Sequence, residues 1–283
     1  MYVDDLLITG NHIGDVEVIK RELMHEFEMT DLGKLSYFLG FEFVKVKEGL
    51  MMHQKRYAME VLKRFNMLNY NPASTPSETG LILEKERTEE PIDETVYKKI
   101  VGSLRYLCHT CPDIEFSIGV VSRFMQNPRA PHLLAAKRIL RYVKGTMSSG
   151  SCSHEIEVVG FTDADWGADK DDRRSTTGFV FFVEGGPISW SSKKESMVAL
   201  STCKAEYIVA AMCTCQAAWL DKLLIELKQK HDEGVKLFIN NKSAISLSKN
   251  PVTHRRSKHI ETKFHYRCLI RPWNEKQPVK RKC

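Results

Sequence analysis

Asp4 and Asp5 stand side by side in the run YVDDLLITG (residues 2–10), where apolar residues on both sides predict a strand, a turn at the two acids and a returning strand. Adjacent carboxylates in a tight turn are costly for structure alone, because like charges repel, so the pair is a candidate for chemistry. A second acidic stretch, residues 163–174, joins two strand-like runs. Cys108 and Cys111 form a lone CxxC with no second pair to complete a tetrahedral zinc set, and Cys213 and Cys215 are too close together for the usual ligand spacing. The eight cysteines are therefore expected to be reduced, packed thiols with no disulfide partner. Residues 255–283 hold ten Lys or Arg against two acids, which makes this segment +8 in a chain of net charge +6 and leaves −2 for the rest. Such a block suits a polyanion, and equally a solvated tail.

Hydrophobic periodicity places the elements that must carry these groups. Ile13, Val16, Ile19, Leu23 and Phe27 recur at three and four and predict an amphipathic helix. A strand or hairpin follows over 37–46, then a helix marked by Tyr57, Val61, Leu62 and Phe65, then a loop over 71–80. Asp93 is expected to cap a helix carrying Tyr97, Ile100, Val101, Leu104 and Leu107. Two more helices centre on Ile118, Val121 and Met125 and on residues 132–144, the latter with Lys and Arg on its outer face. From Ile156 the period becomes that of strands, at 158–162, 178–183 and 187–191. A long helix over 202–228, a strand over 236–239 and helices over 242–248 and 257–269 complete the chain. Three strands, helix, strand, helix is the order of a ribonuclease H-like α/β fold with a mixed sheet and flanking helices. A composition of 42% hydrophobic and 28% charged residues excludes collagen and disorder. No stretch approaches the roughly 20 uninterrupted apolar residues of a spanning helix, and the first residues lack a signal-peptide pattern, so a cytoplasmic or nuclear chain is expected, not a secreted one.

Nine blocks then follow one another in a recognisable order: YVDDLLITG (2–10), TDLGKLSYFLG (30–40), GSLRYL (102–107), FTDADW (161–166), DDRRSTTG (171–178), ISWSSKK (188–194), AEYI (205–208), NKSAI (241–245) and SKHI (257–260). In these blocks the sequence resembles the C-terminal part of the Pol polyprotein of copia-type LTR retrotransposons, which holds the end of reverse transcriptase followed by RNase H. The resemblance implies four segments. Residues 1–70 would be a truncated reverse-transcriptase palm remnant and 71–150 a helical thumb or connection region. Residues 151–270 would be an RNase H-like domain, and 271–283 a basic tail outside the family pattern.

The resemblance also implies metal-dependent chemistry. Asp4 and Asp5 match the paired aspartates on one side of the family's polymerase site. The aspartate of the other side lies upstream of the motif in the family, so polymerase activity is expected to be lost. RNase H uses four carboxylates to hold two Mg2+ ions (Mn2+ as a substitute), which activate a water and stabilise the leaving 3′ oxygen of the RNA strand in an RNA–DNA hybrid. The first of these acids falls on Asp163, with Asp165 expected on the opposite strand face and held as a second choice; the second falls on Glu206. The third falls on Asn240, where the family reads Asp, and a neutral amide is a poor ligand for a hard cation. The fourth belongs to a segment with no counterpart here, since the family pattern stops after Tyr266, a break that suggests a frameshift or misread exon. RNase H activity is accordingly expected to be absent or severely impaired. Lys137, Arg138, Arg141 and Lys144, with Arg173, Arg174, Lys193 and Lys194, are the expected phosphate-tracking surface. The alternative is a non-catalytic nucleic-acid-binding protein that keeps this surface. Trp166, Trp190 and Trp219 are expected in or near the core, and Glu261, His259 and His265 at structural or surface positions.

Overall fold

Two hydrophobic cores organise the chain, one helical and one built on a sheet. The computed structural model describes residues 6–10, 12–46, 49–85, 89–147, 158–183, 185–227, 235–249 and 274–275. The returning strand expected up to Gly10 does not form over residues 6–10, which have no regular structure. Among the described residues no strand runs beside them to take their backbone hydrogen bonds, and Leu6 and Leu7 are exposed. The helix α1 (Ile13–Glu26) forms where its period requires, yet buries none of its residues.

β1 (Tyr37–Phe38), β2 (Phe41–Val46) and β3 (Gly49–His53) make an antiparallel sheet. Leu39 and Gly40, the two residues between β1 and β2, both have positive φ, 47° and 79°, the geometry of a two-residue hairpin whose twist matches the strands. Tyr106 holds this turn by donating its hydroxyl to the Leu39 carbonyl, and a Cβ on Gly40 would lie 3.2 Å from the Tyr106 ring.

The helical core is made by α2 (Lys55–Arg64), α3 (Glu94–Leu107), α4 (Glu115–Val121) and α5 (Ala130–Thr146), with short 3-10 turns at Pro112–Ile114 and Ser122–Phe124. Asp93 caps α3 as its position requires, accepting the Thr95 amide at 2.7 Å and the Val96 amide at 3.4 Å. Ala58, Val61, Leu62 and Met67 pack in one core with Tyr97, Leu104, Ile118 and Leu140. The boundary expected at residue 70 therefore cuts a continuous core, because the buried side of α2 packs with α3 and α5 beyond it.

The second core follows: β4 (Val158–Ala164), β5 (Thr176–Val183), β6 (Gly186–Lys194), α6 (Thr202–Glu226), β7 (Lys236–Ile239), α7 (Lys242–Lys249) and β8 (Asn274–Glu275). Its sheet runs β6-β5-β4-β7-β8; β4, β5 and β6 are antiparallel neighbours, whereas β7 lies parallel to β4 and β8 parallel to β7. This is the mixed α/β sheet the element order predicts. The central strand leaves no room at Gly160, where a Cβ would meet Phe181 at 2.5 Å and Leu237 at 2.7 Å. α6 is long and apolar enough to cross a membrane by composition, and twelve of its 25 residues are buried, seven of them in this core. Residues 274–275, expected within a plain tail, instead pair with the open backbone edge of β7. The helix expected over 257–269 lies outside the described residues.

Candidate functional site

Along β4 the side chains alternate. Val158 and Thr162 are buried, and Gly160 abuts core residues, on the side covered by α6. Phe161 points the other way, stacks on Phe238 at 5.4 Å and meets Phe182 edge-on at 6.0 Å. Asp163, in phase with Phe161, is exposed and lines a largely apolar cleft of about 640 Å3 with Phe161, Val180 and Phe182; Asp113, Glu115 and Phe116 of the helical core form its far wall.

Asp165 corrects an expectation. Residues two apart on a strand share a face, and Asp165 lines the same cleft as Asp163. Its carboxylate is moreover engaged in structure: Oδ1 accepts the Thr176 amide at 2.6 Å, and its own amide donates to the Thr176 carbonyl at 3.1 Å. Just beyond, the Trp166 indole N–H donates to the Ala199 carbonyl at 2.9 Å and so ties the end of β4 to the segment entering α6. Ser201 caps α6 by accepting the Lys204 amide at 3.2 Å, and Glu206 follows in the next turn, only 6% exposed.

Asn240 comes to Asp163 through strand pairing. The parallel register of β4 and β7 sets Thr162 opposite Ile239, so residues 163 and 240 follow side by side where the two strands end. Asn240 is exposed, and the cap of α7 is made by its neighbour, Asn241 Oδ1 accepting the Ala244 amide at 2.9 Å. β4 and β7 thus carry Asp163 and Asn240 to neighbouring strand ends, while Glu206 is buried near the start of α6. Two carboxylates and one neutral amide fall short of the charge that a pair of divalent cations demands. Among the described residues no three His, Cys, Asp or Glu side chains gather as a metal site. Asp4, Asp5, His259, Glu261 and His265 lie outside the described residues.

The basic residues divide in a way their sequence positions hide. On α5, Arg138 Nη2 donates to Thr75 Oγ1 at 3.0 Å, Arg141 Nε to the Asn71 carbonyl at 2.7 Å, and Lys144 Nζ to the Leu68 and Tyr70 carbonyls at 2.6 and 2.9 Å. These three clamp the segment 68–75, and Lys137 is half-buried beside them. Lys194 is drawn onto Asp169 and Asp172, and Arg174 onto Asp172 at 3.7 Å. Arg173 and Lys193 remain exposed.

Other expectations change as well. Trp166 and Trp219 are more than half exposed, while Trp190 is half-buried and donates its indole N–H to the Cys108 carbonyl at 2.9 Å. Burial pushes the Cys108 thiol up to about 12, with Glu115 adding to the rise, and burial also raises Cys111. Both stay protonated at neutral pH, as packed thiols do. Sequence reasoning missed Arg123 and Asp169, which join the two cores; the signal available was an acid in the 163–174 stretch with no chemistry assigned to it.

Residues 1–79 match the family described as reverse transcriptase (RNA-dependent DNA polymerase). Over 277 residues, 94% of this chain, the sequence is 41% identical to the retrovirus-related Pol polyprotein from transposon TNT 1-94 of Nicotiana tabacum, of which the match covers 21%. The chain spans about a fifth of the length of such curated relatives. Two solved structures are similar at 13% identity. One is a foamy viral protease-reverse transcriptase in complex with dsDNA (86% of this chain, 45% of that one, TM-score 0.47), the other an RNase H1 isolated from compost (43% and 85%, TM-score 0.31).

Proposed function

Since the chain belongs to the Pol polyproteins of copia-type retrotransposons, we propose that its sheet module is an RNase H-type unit for RNA–DNA hybrids whose cleavage is abolished or severely impaired by the amide at position 240. The observation that supports this reading is the β4–β7 register, which puts Asn240 beside Asp163 at the strand ends. Asp163 offers a solvent-facing carboxylate and Glu206 a buried one, whereas Asn240 offers only a neutral carbonyl where the family has a charged ligand. The cations of this chemistry are Mg2+, or Mn2+ in its place, and the third ligand position here is too weak to retain them.

Hybrid cleavage by the purified protein decides the matter, first with Mg2+ and then with Mn2+, comparing wild type with Asn240→Asp and Asp163→Asn. The expected result is a silent wild type and measurable cutting by Asn240→Asp. Cutting by wild type that Asp163→Asn abolishes would show a working nuclease and overturn the impairment. A second reading, hybrid binding without cleavage, is favoured by the exposed Arg173 and Lys193 beside the sheet. It predicts that hybrid affinity falls steeply as salt rises, and that Lys193→Ala flattens that dependence.

A further inference from the structure

The two cores meet at a half-buried knot of charge. Arg123, in the Ser122–Phe124 turn after α4, donates through Nη1 to Asp169 Oδ2 at 2.9 Å and through Nη2 to Thr176 Oγ1 at 2.8 Å. Lys194, the last residue of β6, reaches the same Asp169 oxygen at 2.5 Å and Asp172 Oδ2 at 2.9 Å. The other oxygen of Asp169 accepts the amides of Asp171 at 3.0 Å and Asp172 at 3.4 Å. The side chain of Asp169 is 8% exposed and that of Arg123 17%, so this pair is shielded from the solvent that makes ordinary surface ion pairs weak. Burial pushes the Asp169 carboxyl up, but Lys194, the Asp171 amide and Arg123 outweigh it and hold the group below the ordinary carboxylate value.

Thr176 carries the connection onward. Its hydroxyl accepts from Arg123 while its amide donates to Asp165, two residues past Asp163. A continuous hydrogen-bonded path therefore runs from the helical core through Arg123, Thr176 and Asp165 to the end of β4. The cores do not touch evenly elsewhere: beside the Trp190–Cys108 bond lies a cleft of about 420 Å3 between Arg105, His109 and Glu115 on one side and Ser189 and Ser192 on the other. The charged knot thus closes a junction that is partly open.

We propose that Arg123 and Asp169 are positioning residues: they lock the helical core onto the sheet and, through Thr176 and Asp165, fix the end of β4 so that Asp163 meets a hybrid in one orientation. The lock stands on the geometry alone; its effect on Asp163 rests on the nuclease reading.

Both parts are tested in the full chain carrying Asn240→Asp, with Arg123→Ala, Arg123→Lys, Asp169→Asn and Asp169→Glu added singly. Scanning calorimetry should give one transition for the parent and two separated transitions for Arg123→Ala and Asp169→Asn. Hybrid cleavage should lose tenfold or more in kcat with KM changed less than twofold, and Arg123→Lys, which keeps the charge on Asp169 but not the second prong to Thr176, should recover part of it. Unsplit transitions in both charge-removing variants would overturn the lock. Split transitions with unchanged kcat would overturn the positioning of Asp163. Should the parent fail to cut at all, the nuclease reading falls and calorimetry still decides the lock. If Asp169→Asn does not fold, Arg123→Lys and Asp169→Glu supply the comparison: the lock requires both to lower the first transition, and an unshifted one overturns it.

Discussion

α1 carries its apolar residues at helical spacing along one side and buries none of them, whereas α6, apolar on almost every side, buries twelve. The difference lies in what each helix faces. α6 lies across β4, β5 and β7, which present Val158, Phe181 and Leu237 to it. Among the described residues no element offers α1 a comparable surface, and Ile13, Ile19 and Phe27 stay exposed. Periodicity states which face a helix has available; burial depends on a partner, and at about 25 cal/mol per Å2 of apolar surface the partner supplies most of the stability.

Gly160→Ala should sharpen this contrast most. Its Cβ would sit 2.5 Å from Phe181 and 2.7 Å from Leu237, so overpacking is expected to cost about 3 kcal/mol or to unfold the sheet core outright. Denaturant unfolding followed by tryptophan fluorescence measures it, and a loss below about 1 kcal/mol would show that the core yields more than its packing suggests. Acid should come next. Asp169 has a folded pKa below its ordinary value of 3.8, so its stabilisation is fully present above that value and is lost as pH falls through the lower, folded one. Urea midpoints measured from neutral pH down to about 2 should show a decline at the acid end, and Asp169→Asn should remove its share of it. Gly14→Ala should have the smallest effect. Nothing lies within 4 Å of a Cβ there, so α1 should gain roughly 0.5–1 kcal/mol of local helix stability, visible in amide exchange, with no change in global unfolding. A raised global midpoint would mean that α1 is packed, and the contrast would break.

Local signals are sufficient for some elements. The span of β7, the start of α6 and the Asp93 cap follow from alternation, periodicity and one well-placed carboxylate. The strand expected up to Gly10 failed because a strand is a statement about its neighbour. Arg141 and Lys144 of α5 reach the carbonyls of Leu68, Tyr70 and Asn71 because that segment wraps over the helix, which no helical wheel records. The candidate site was half legible: the resemblance supplied Asp163, Glu206 and Asn240 one at a time, but the adjacency of Asp163 and Asn240 comes from parallel pairing across the whole of α6. Arg123 and Asp169 are 46 residues apart and belong to different cores, so neither residue announces the other.

The same chain distances impose an order in time. The helical core joins helices that follow one another along the chain, while β4 cannot pair with β7 until α6 has been laid down between them. Contacts between residues close in sequence close short loops and form fast; a parallel pairing across a crossover pays more loop-closure entropy and forms late. The helical half, also the first to leave the ribosome, is therefore expected to be folded while the sheet is still assembling. Arg123 then waits on a finished surface for an aspartate that has yet to find its loop.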